Sequence, residues 1–351
     1  MTKIPVKYQN ILRIFLEKGE MQSSEIYAVL AKVGEKTSLV TVKRALSEMA
    51  DESFLETFGS GRSTSYRIAP KGRIFADINA EEYIAVEPDK RFGMSRYSFD
   101  LFPAIPPDIF TDDELKKLDD ATVLYKKRTR DLPEAIQKKE LERLVIELSW
   151  KSSKIEGNTY TLLDTEKLIL ENREAPGHSK QEAQMILNHK EAFNYIRAHA
   201  GQFETVTRKN LEEIHSILVK DLSVGLGLRS KPVGVTGSKY LPLDNIHQVA
   251  EAVESLSVAV SRVSAPYAKA LVALLGVAYV QPFEDGNKRT SRLMANAILL
   301  AHSLAPLSYR SIDENEYREG MLAFYELNSI LPMKKIFIGQ YEFATQNYVV
   351  E

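Results

Sequence analysis

The run Gln281-Pro282-Phe283-Glu284-Asp285-Gly286-Asn287-Lys288-Arg289-Thr290-Ser291-Arg292 lies between two segments of helical character. Upstream, Ala268 to Val280 is the most apolar stretch of the chain. Downstream, Leu293, Ala295, Ile298 and Leu299 recur at helical spacing. Pro282 stops the first helix, Gly286 permits a tight turn, and Asn287 is placed to cap the second helix. A helix N-terminus offers free backbone N–H groups and a partial positive charge, which together attract an anion. Lys288, Arg289 and Arg292 add three cations there, with Arg289 and Arg292 on one face. Asp285 beside them suits Mg²⁺, which takes one or two carboxylates plus phosphate oxygens. The residues spell a polyphosphate-binding loop, although not the G-x-x-x-x-G-K-[ST] order of a Walker A loop. The plain alternative is a capped helix with a solvated basic first turn. It leaves cations opposing the helix dipole, a cost that a bound anion relieves.

Composition bounds what surrounds this loop. At 351 residues the chain is long enough for about two domains. Its 46 Lys+Arg against 48 Asp+Glu exclude a basic coat over the whole molecule while permitting a local patch. With no cysteine, disulfides, thiolate metal sites and thiol catalysis are excluded. Six histidines remain for acid–base work: His178, His189, His199, His215, His247 and His302. The apolar 13 residues of Ala268–Val280 are too few to span a bilayer. Met1 to Pro5 lack an apolar signal core, so a cytoplasmic protein without membrane contact is expected.

Residues 1–75 read as a unit of their own. Ile11, Leu12, Phe15 and Leu16 mark a first helix, and Ser23 or Ser24 is placed to cap a second. Thr37 or Ser38 is placed to cap a third, with Leu39, Val42, Leu46 and Met49 on its inner face. Phe54–Phe58, the turn Gly59-Ser60-Gly61 and Ser63–Ile68 then spell a β-hairpin. Three helices and a Gly-tipped hairpin resemble a winged helix-turn-helix, whose third helix enters the DNA major groove. To Arg73 the segment holds 12 Lys+Arg and 8 Asp+Glu. Thr41, Lys43 and Arg44 on the third helix and Arg62 at the wing are the expected DNA contacts. A homodimer is expected with them, because one such module touches few bases. The alternative is a small helical domain that mediates dimerisation, as a module that binds protein instead of DNA. Residues 76–112 read as a connecting arm, and 113–351 as nearly all helix. The exception is Arg229 to Leu241, which suggests a short extended hairpin.

The decisive run resembles the Fic family signature, H-P-F-x-[DE]-G-N-[KR]-R-x-x-R. Every specified position after the first matches, from Pro282 to Arg292, and the resemblance extends from Asp113 to the C-terminus. It implies a mainly α fold: an all-helical Fic domain with a short β-hairpin flap, here preceded by the small α+β winged helix domain. It also implies transfer of AMP from Mg²⁺·ATP to a Ser, Thr or Tyr hydroxyl of a protein target. By the resemblance Asp285 would hold Mg²⁺, and Gly286 and Asn287 would bind the α-phosphate region. Lys288 and Arg289 would hold the phosphates, and Arg292 the γ-phosphate. Gly237, Ser238, Lys239 and Tyr240 resemble the family's flap, which pins a target by strand addition. Ser152, Glu156 and Gly157 resemble its inhibitory motif [ST]-x-x-x-E-[GN], in which the Glu pairs with the last arginine of the signature. That pair would be Glu156 with Arg292, from a helix N-terminal to the core.

One residue departs from the family. Gln281 stands where the resemblance puts a catalytic histidine, and an amide cannot accept a proton near neutral pH. Losing a positioned base costs about 10²- to 10⁴-fold in rate. Three readings stay open: a nucleotide binder that transfers AMP poorly, an enzyme with another base or chemistry, or a glutamine introduced to trap a complex. A nucleotide-sensing DNA-binding regulator is the alternative function.

Overall fold

The computed structural model describes residues 4–130 and 132–349. The expectation drawn from the first residues falls mostly on Met1, Thr2 and Lys3, which lie outside the described residues. The chain begins with α1 (Val6–Lys18), β1 (Met21–Gln22), α2 (Ser23–Lys32), α3 (Leu39–Asp51), β2 (Leu55–Phe58) and β3 (Ser65–Ile68). The strands form one antiparallel sheet in the order β1-β3-β2, with Leu55 opposite Ile68 and Met21 opposite Tyr66. Ile11, Leu12, Phe15 and Leu16 of α1 and Val42, Leu46 and Met49 of α3 are buried in one apolar cluster, as their spacing requires. Ser38 caps α3, accepting from the N–H of Thr41.

Two local readings change. The cap of α2 is Gln22, one residue before the serines; Glu25 reaches back to the Gln22 N–H and closes a capping box. Strand β1 is only two residues long and leaves no period to read.

The arm is anchored rather than loose. The short helix α4 (Pro70–Ile74) precedes it; the arm itself carries α5 (Ala80–Ile84) and α6 (Leu101–Ala104), and buries Leu101, Phe102, Ile109 and Phe110 against the helical body. Gly93, at φ 102°, passes so close that a Cβ there would lie 2.7 Å from the Glu326 carbonyl.

The body follows with α7 (Asp112–Thr129), α8 (Glu134–Ile155), α9 (Leu162–Glu171), α10 (Lys180–Ala198) and α11 (Arg208–Leu218). It continues with α12 (Ile246–Arg262), α13 (Pro266–Val280), α14 (Asn287–Ala301), α15 (Glu314–Leu327) and α16 (Leu331–Asn347). Helix α13 is apolar on every side and buried along nearly all its length, so it is the axis around which α12, α14 and α15 pack. A continuous apolar cluster runs from Tyr8 in α1 to Tyr348 after α16. Among the described residues, no helix is long and apolar enough to cross a membrane.

The fold is mainly α, with its sheet confined to the N-terminal elements. The extended segment at Arg229–Leu241 has its turn, Ser238 N–H donating to the Val235 carbonyl, but its two limbs do not pair as a hairpin. Instead Leu241 bridges in parallel to Arg96 of the arm. Pro232 and Pro242 remove donors from both limbs, and the arm supplies the partner that a second limb would have been.

Candidate functional site

The decisive run forms the turn from α13 into α14. Gln281 ends α13 in the left-handed region (φ 51°, ψ 59°), and Gly286 at φ 78° starts α14. A Cβ at 286 would meet Val219, Arg289 and His215 only at ordinary van der Waals distance, so it is the positive φ rather than space that favours glycine. Asn287 is not the cap. It is the first residue of α14, and its amide clasps the loop from within: Oδ1 accepts from Phe283 N–H and Nδ2 donates to Phe283 O, both at 2.8 Å. The first backbone N–H groups of α14 thus have no side-chain cap and remain available to a ligand.

A cavity of about 210 Å³ opens on this loop, lined by Gln281, Glu284 to Arg289, Glu156, Met185 and the segment Val233 to Thr236. A larger cavity, about 750 Å³, lies elsewhere, between α1, the arm and helices α15 and α16. Chemistry rather than size singles out the smaller one. Arg289 is 2% exposed and Arg292 wholly buried, yet each keeps a buried Nη1 without a hydrogen-bond partner. An unpaired buried donor is costly, and that of Arg289, which lines the cavity, is one that an acceptor entering from the cavity relieves.

The inhibitory residues are brought to Arg292. Ser152 accepts from Arg292 through both its Oγ (2.9 Å) and its carbonyl (2.8 Å), at the end of α8. Glu156 caps that helix, with Gly157 following at φ 95°. Its Oε1 is 2.9 Å from Arg292 Nη2, and its Oε2 is 3.5 Å from Lys288 Nζ. Burial pushes the Glu156 carboxyl up, but the charges of Arg292 and Lys288 outweigh it and hold the pKa below the ordinary value. Burial likewise disfavours the charged Arg292, and Glu156 more than restores it, so its pKa is raised.

Asp285 points one carboxylate oxygen at Arg289 Nη2, 2.9 Å away, while its side chain remains 67% exposed. Among the described residues, no three His, Asp or Glu side chains converge to hold a metal. One carboxylate plus phosphate oxygens is nevertheless a donor set that Mg²⁺ accepts, so the residues fit that ion together with a phosphate ligand.

Gln281 is buried, and its side chain turns back on α13, Nε2 donating to the Ala278 carbonyl at 2.7 Å. No histidine hydrogen-bonds to it. His215 serves the loop differently: its ring stacks on Phe283 at 3.8 Å and its Nε2 is 3.0 Å from the Asp285 carbonyl. Burial pulls the His215 pKa down to about 4, and burial beside Arg292 and Arg289 lowers that of His189. Both are neutral at pH 7.

The four residues that resemble a flap, Gly237 to Tyr240, are held by the arm and α15. Gly237 accepts from Arg91 Nη1, Ser238 Oγ donates to Glu326, Lys239 Nζ donates to the Arg91 carbonyl, and Tyr240 is buried on Tyr279. A buried ion pair, Arg91–Glu326 at 3.0 Å, ties them to the arm and α15. The cavity wall is formed instead by the preceding residues, Val233 to Thr236. Sequence reading also missed His215, Met185 and Arg229. The histidine was at hand among the six, on the buried face of α11; the other two carry no signal in their spacing.

On α3, Thr41, Lys43 and Arg44 are exposed, as is Arg62 between β2 and β3. Arg44 is not free, however. Its Nε lies 2.8 Å from Glu48, which also accepts from Tyr8.

A helical body with an anion-type loop between its central helices is the class this geometry defines. Residues 205–299 match the Fic/DOC family model. The chain is 28% identical over 174 residues to the protein adenylyltransferase Fic of Nematostella vectensis, covering 48% of this chain and 41% of that one. It is 30% identical over 166 residues to the Drosophila yakuba protein of the same description, covering 46% and 34%. The chain thus spans well under half the length of these relatives. Among solved structures, a Fic domain containing signaling protein from Bacteroides thetaiotaomicron superposes with a TM-score of 0.57 at 21% identity, covering 66% of this chain and 94% of that one. C. elegans Fic-1 superposes at 0.55 with 19% identity, covering 68% and 71%. The chain carries a Fic/DOC-family domain.

Proposed function

We propose that the loop binds ATP with Mg²⁺ and that the chain is an autoinhibited protein adenylyltransferase scaffold, whose transfer of AMP to a protein hydroxyl is weakened by Gln281. The observation that carries this reading is Arg289, buried on the cavity with an unpartnered Nη1 beside the uncapped N-terminus of α14. In this reading Gly286, Asn287 and the first N–H groups of α14 receive the α-phosphate region. Lys288 and Arg289 hold the outer phosphates, and Asp285 would hold Mg²⁺, which neutralises phosphate charge when bound. Glu156 occupies Arg292, the group assigned to the γ-phosphate, so nucleotide and Glu156 compete for one guanidinium. Support for a silent or slow enzyme comes from Gln281 itself: its amide is committed to Ala278 and cannot take a proton.

The test is label transfer from α-labelled ATP to lysate proteins. With Glu156→Gly alone we expect weak or no labelling. Adding Gln281→His raises it by about 10²- to 10⁴-fold, the usual worth of a general base. Absence of both ATP binding and labelling in the double variant would sink the reading.

A second reading concerns the N-terminal elements. The order helix–strand–helix–helix–strand–strand and the exposed Lys43 and Arg62, without an ion pair among the described residues, favour a winged helix that binds DNA, with the loop as its nucleotide sensor. The two readings are compatible in one chain.

A further inference from the structure

Arg229 is 2% exposed, and among the described residues no carboxylate lies within ion-pair distance of it. A buried guanidinium without a counter-charge is a costly way to fill space, and a methionine of similar length would fill it more cheaply. What the guanidinium supplies is direction. Its Nε donates to the Gln281 carbonyl at 2.6 Å and its Nη1 to the Lys231 carbonyl at 2.9 Å, while its own backbone N–H donates to the Pro282 carbonyl at 3.0 Å. A single residue thus grips two consecutive carbonyls of the loop and that of Lys231, two residues before the cavity wall.

The first of those carbonyls belongs to the residue in the left-handed region. A non-glycine residue there is strained by roughly 1–2 kcal/mol and persists only where its surroundings hold it. Inside the turn, Gln281 is held by its N–H on Val277 and its amide on Ala278. From outside it is held by Arg229. The chain from Arg229 then runs four residues to Val233, where the cavity wall begins.

We infer that Arg229 is a positioning residue: it sets the left-handed turn that aims the side chain at position 281, and it ties that turn to the wall at Val233–Thr236. Arg229 makes no hydrogen bond to Asp285–Arg292, so it orients the reacting side without contributing to phosphate binding. This inference rests on the proposed nucleotide reading only for its effect on transfer; its effect on Gln281 stands without nucleotide.

The experiment compares Arg229→Lys and Arg229→Met with the parent. Lysine keeps the charge but not the fork that reaches two carbonyls. In nucleotide-free protein, the side-chain amide NMR signal of Gln281 should shift or broaden in both variants. In the Gln281→His, Glu156→Gly background, both should lose transfer on the order of 10²-fold, as small misplacements of a reacting group do. The ATP dissociation constant and KM should stay within about threefold, because the phosphate side is intact. An unchanged Gln281 signal overturns the inference, and so does a fall of ATP affinity in step with transfer, which would mark a merely structural role. Full rescue by lysine would make Arg229 an electrostatic group and overturn it as well. If methionine fails to fold, the lysine variant alone decides. A parent that binds no ATP sinks the proposed function and leaves the NMR comparison standing.

Discussion

The arginines of the loop and those of α3 are the same residue type in opposite physical settings. Arg289 and Arg292 are buried, held by Asp285, Ser152 and Glu156, and keep donors in reserve. Arg44 has an 81% exposed side chain, and its one partner is another surface group, Glu48. The first arrangement is built before its ligand arrives, with desolvation already met by folding. The second attracts from water, where salt screens it and pairing contributes little. A change of charge should therefore disturb the folded state at the loop and only the encounter with a partner at α3.

The largest effect should come from Glu156→Gln. It leaves Arg292 buried with its charge uncompensated, which costs about 3 kcal/mol or more where one partner of a buried pair is removed. Denaturant unfolding without nucleotide should show that loss. ATP should then stabilise the variant more than the wild type, because the phosphate replaces the missing carboxylate without competition. Equal ATP-induced shifts in the two proteins would mean that Glu156 and nucleotide do not share Arg292.

An intermediate effect is expected from pH. His215 has a folded-state pKa of about 4, below its unfolded value near 6.5. Its contribution is therefore fully present above pH 6.5 and is lost as pH falls toward 4. Glu156 is held below the ordinary carboxylate range, so its pair with Arg292 survives at pH 5. Between pH 7 and 5 the chain should lose about 1–2 kcal/mol through His215. His215→Gln should flatten that part of the stability profile. A profile with the same slope in both proteins would assign the acid sensitivity elsewhere, His189 being the next group to substitute.

The contrast between the two regions also explains what the sequence could and could not disclose. Pro282, Gly286 and the cations after it act through local geometry, so the helix–turn–helix and its anion character are legible as spacing. Glu156 and Arg292 are 136 positions apart, and only the family resemblance joined them before the fold did. Arg229 is illegible for the same reason: its partners are carbonyls, which every residue has. Asn287 was misread because capping is the common use of asparagine before a helix, whereas Phe283 offers both groups its amide can satisfy. The hairpin at 229–241 failed because the arm, remote in sequence, took the pairing edge at Leu241.

The smallest effect on the fold, and the sharpest test of α3, is Lys43→Ala. Lys43 is exposed and forms no ion pair among the described residues, so thermal stability should not move. If α3 lies on DNA, each lysine or arginine removed from a phosphate lowers the slope of log affinity against log salt by about 1. Lys43→Ala and Arg62→Ala should each do so in gel shifts across a salt series. Arg44 behaves differently, because Glu48 competes with the phosphate for its guanidinium. Glu48→Ala should therefore strengthen DNA binding at low salt, and Arg44→Ala added to it should remove the gain. If the slope is unchanged by Lys43→Ala and the affinity by Glu48→Ala, α3 is no DNA surface, and the N-terminal elements are left as a protein-binding unit. The exposed Val40 beside Thr41 would then be the first residue to test for such contact, since at 77% exposure it carries an apolar side chain that folding leaves in water.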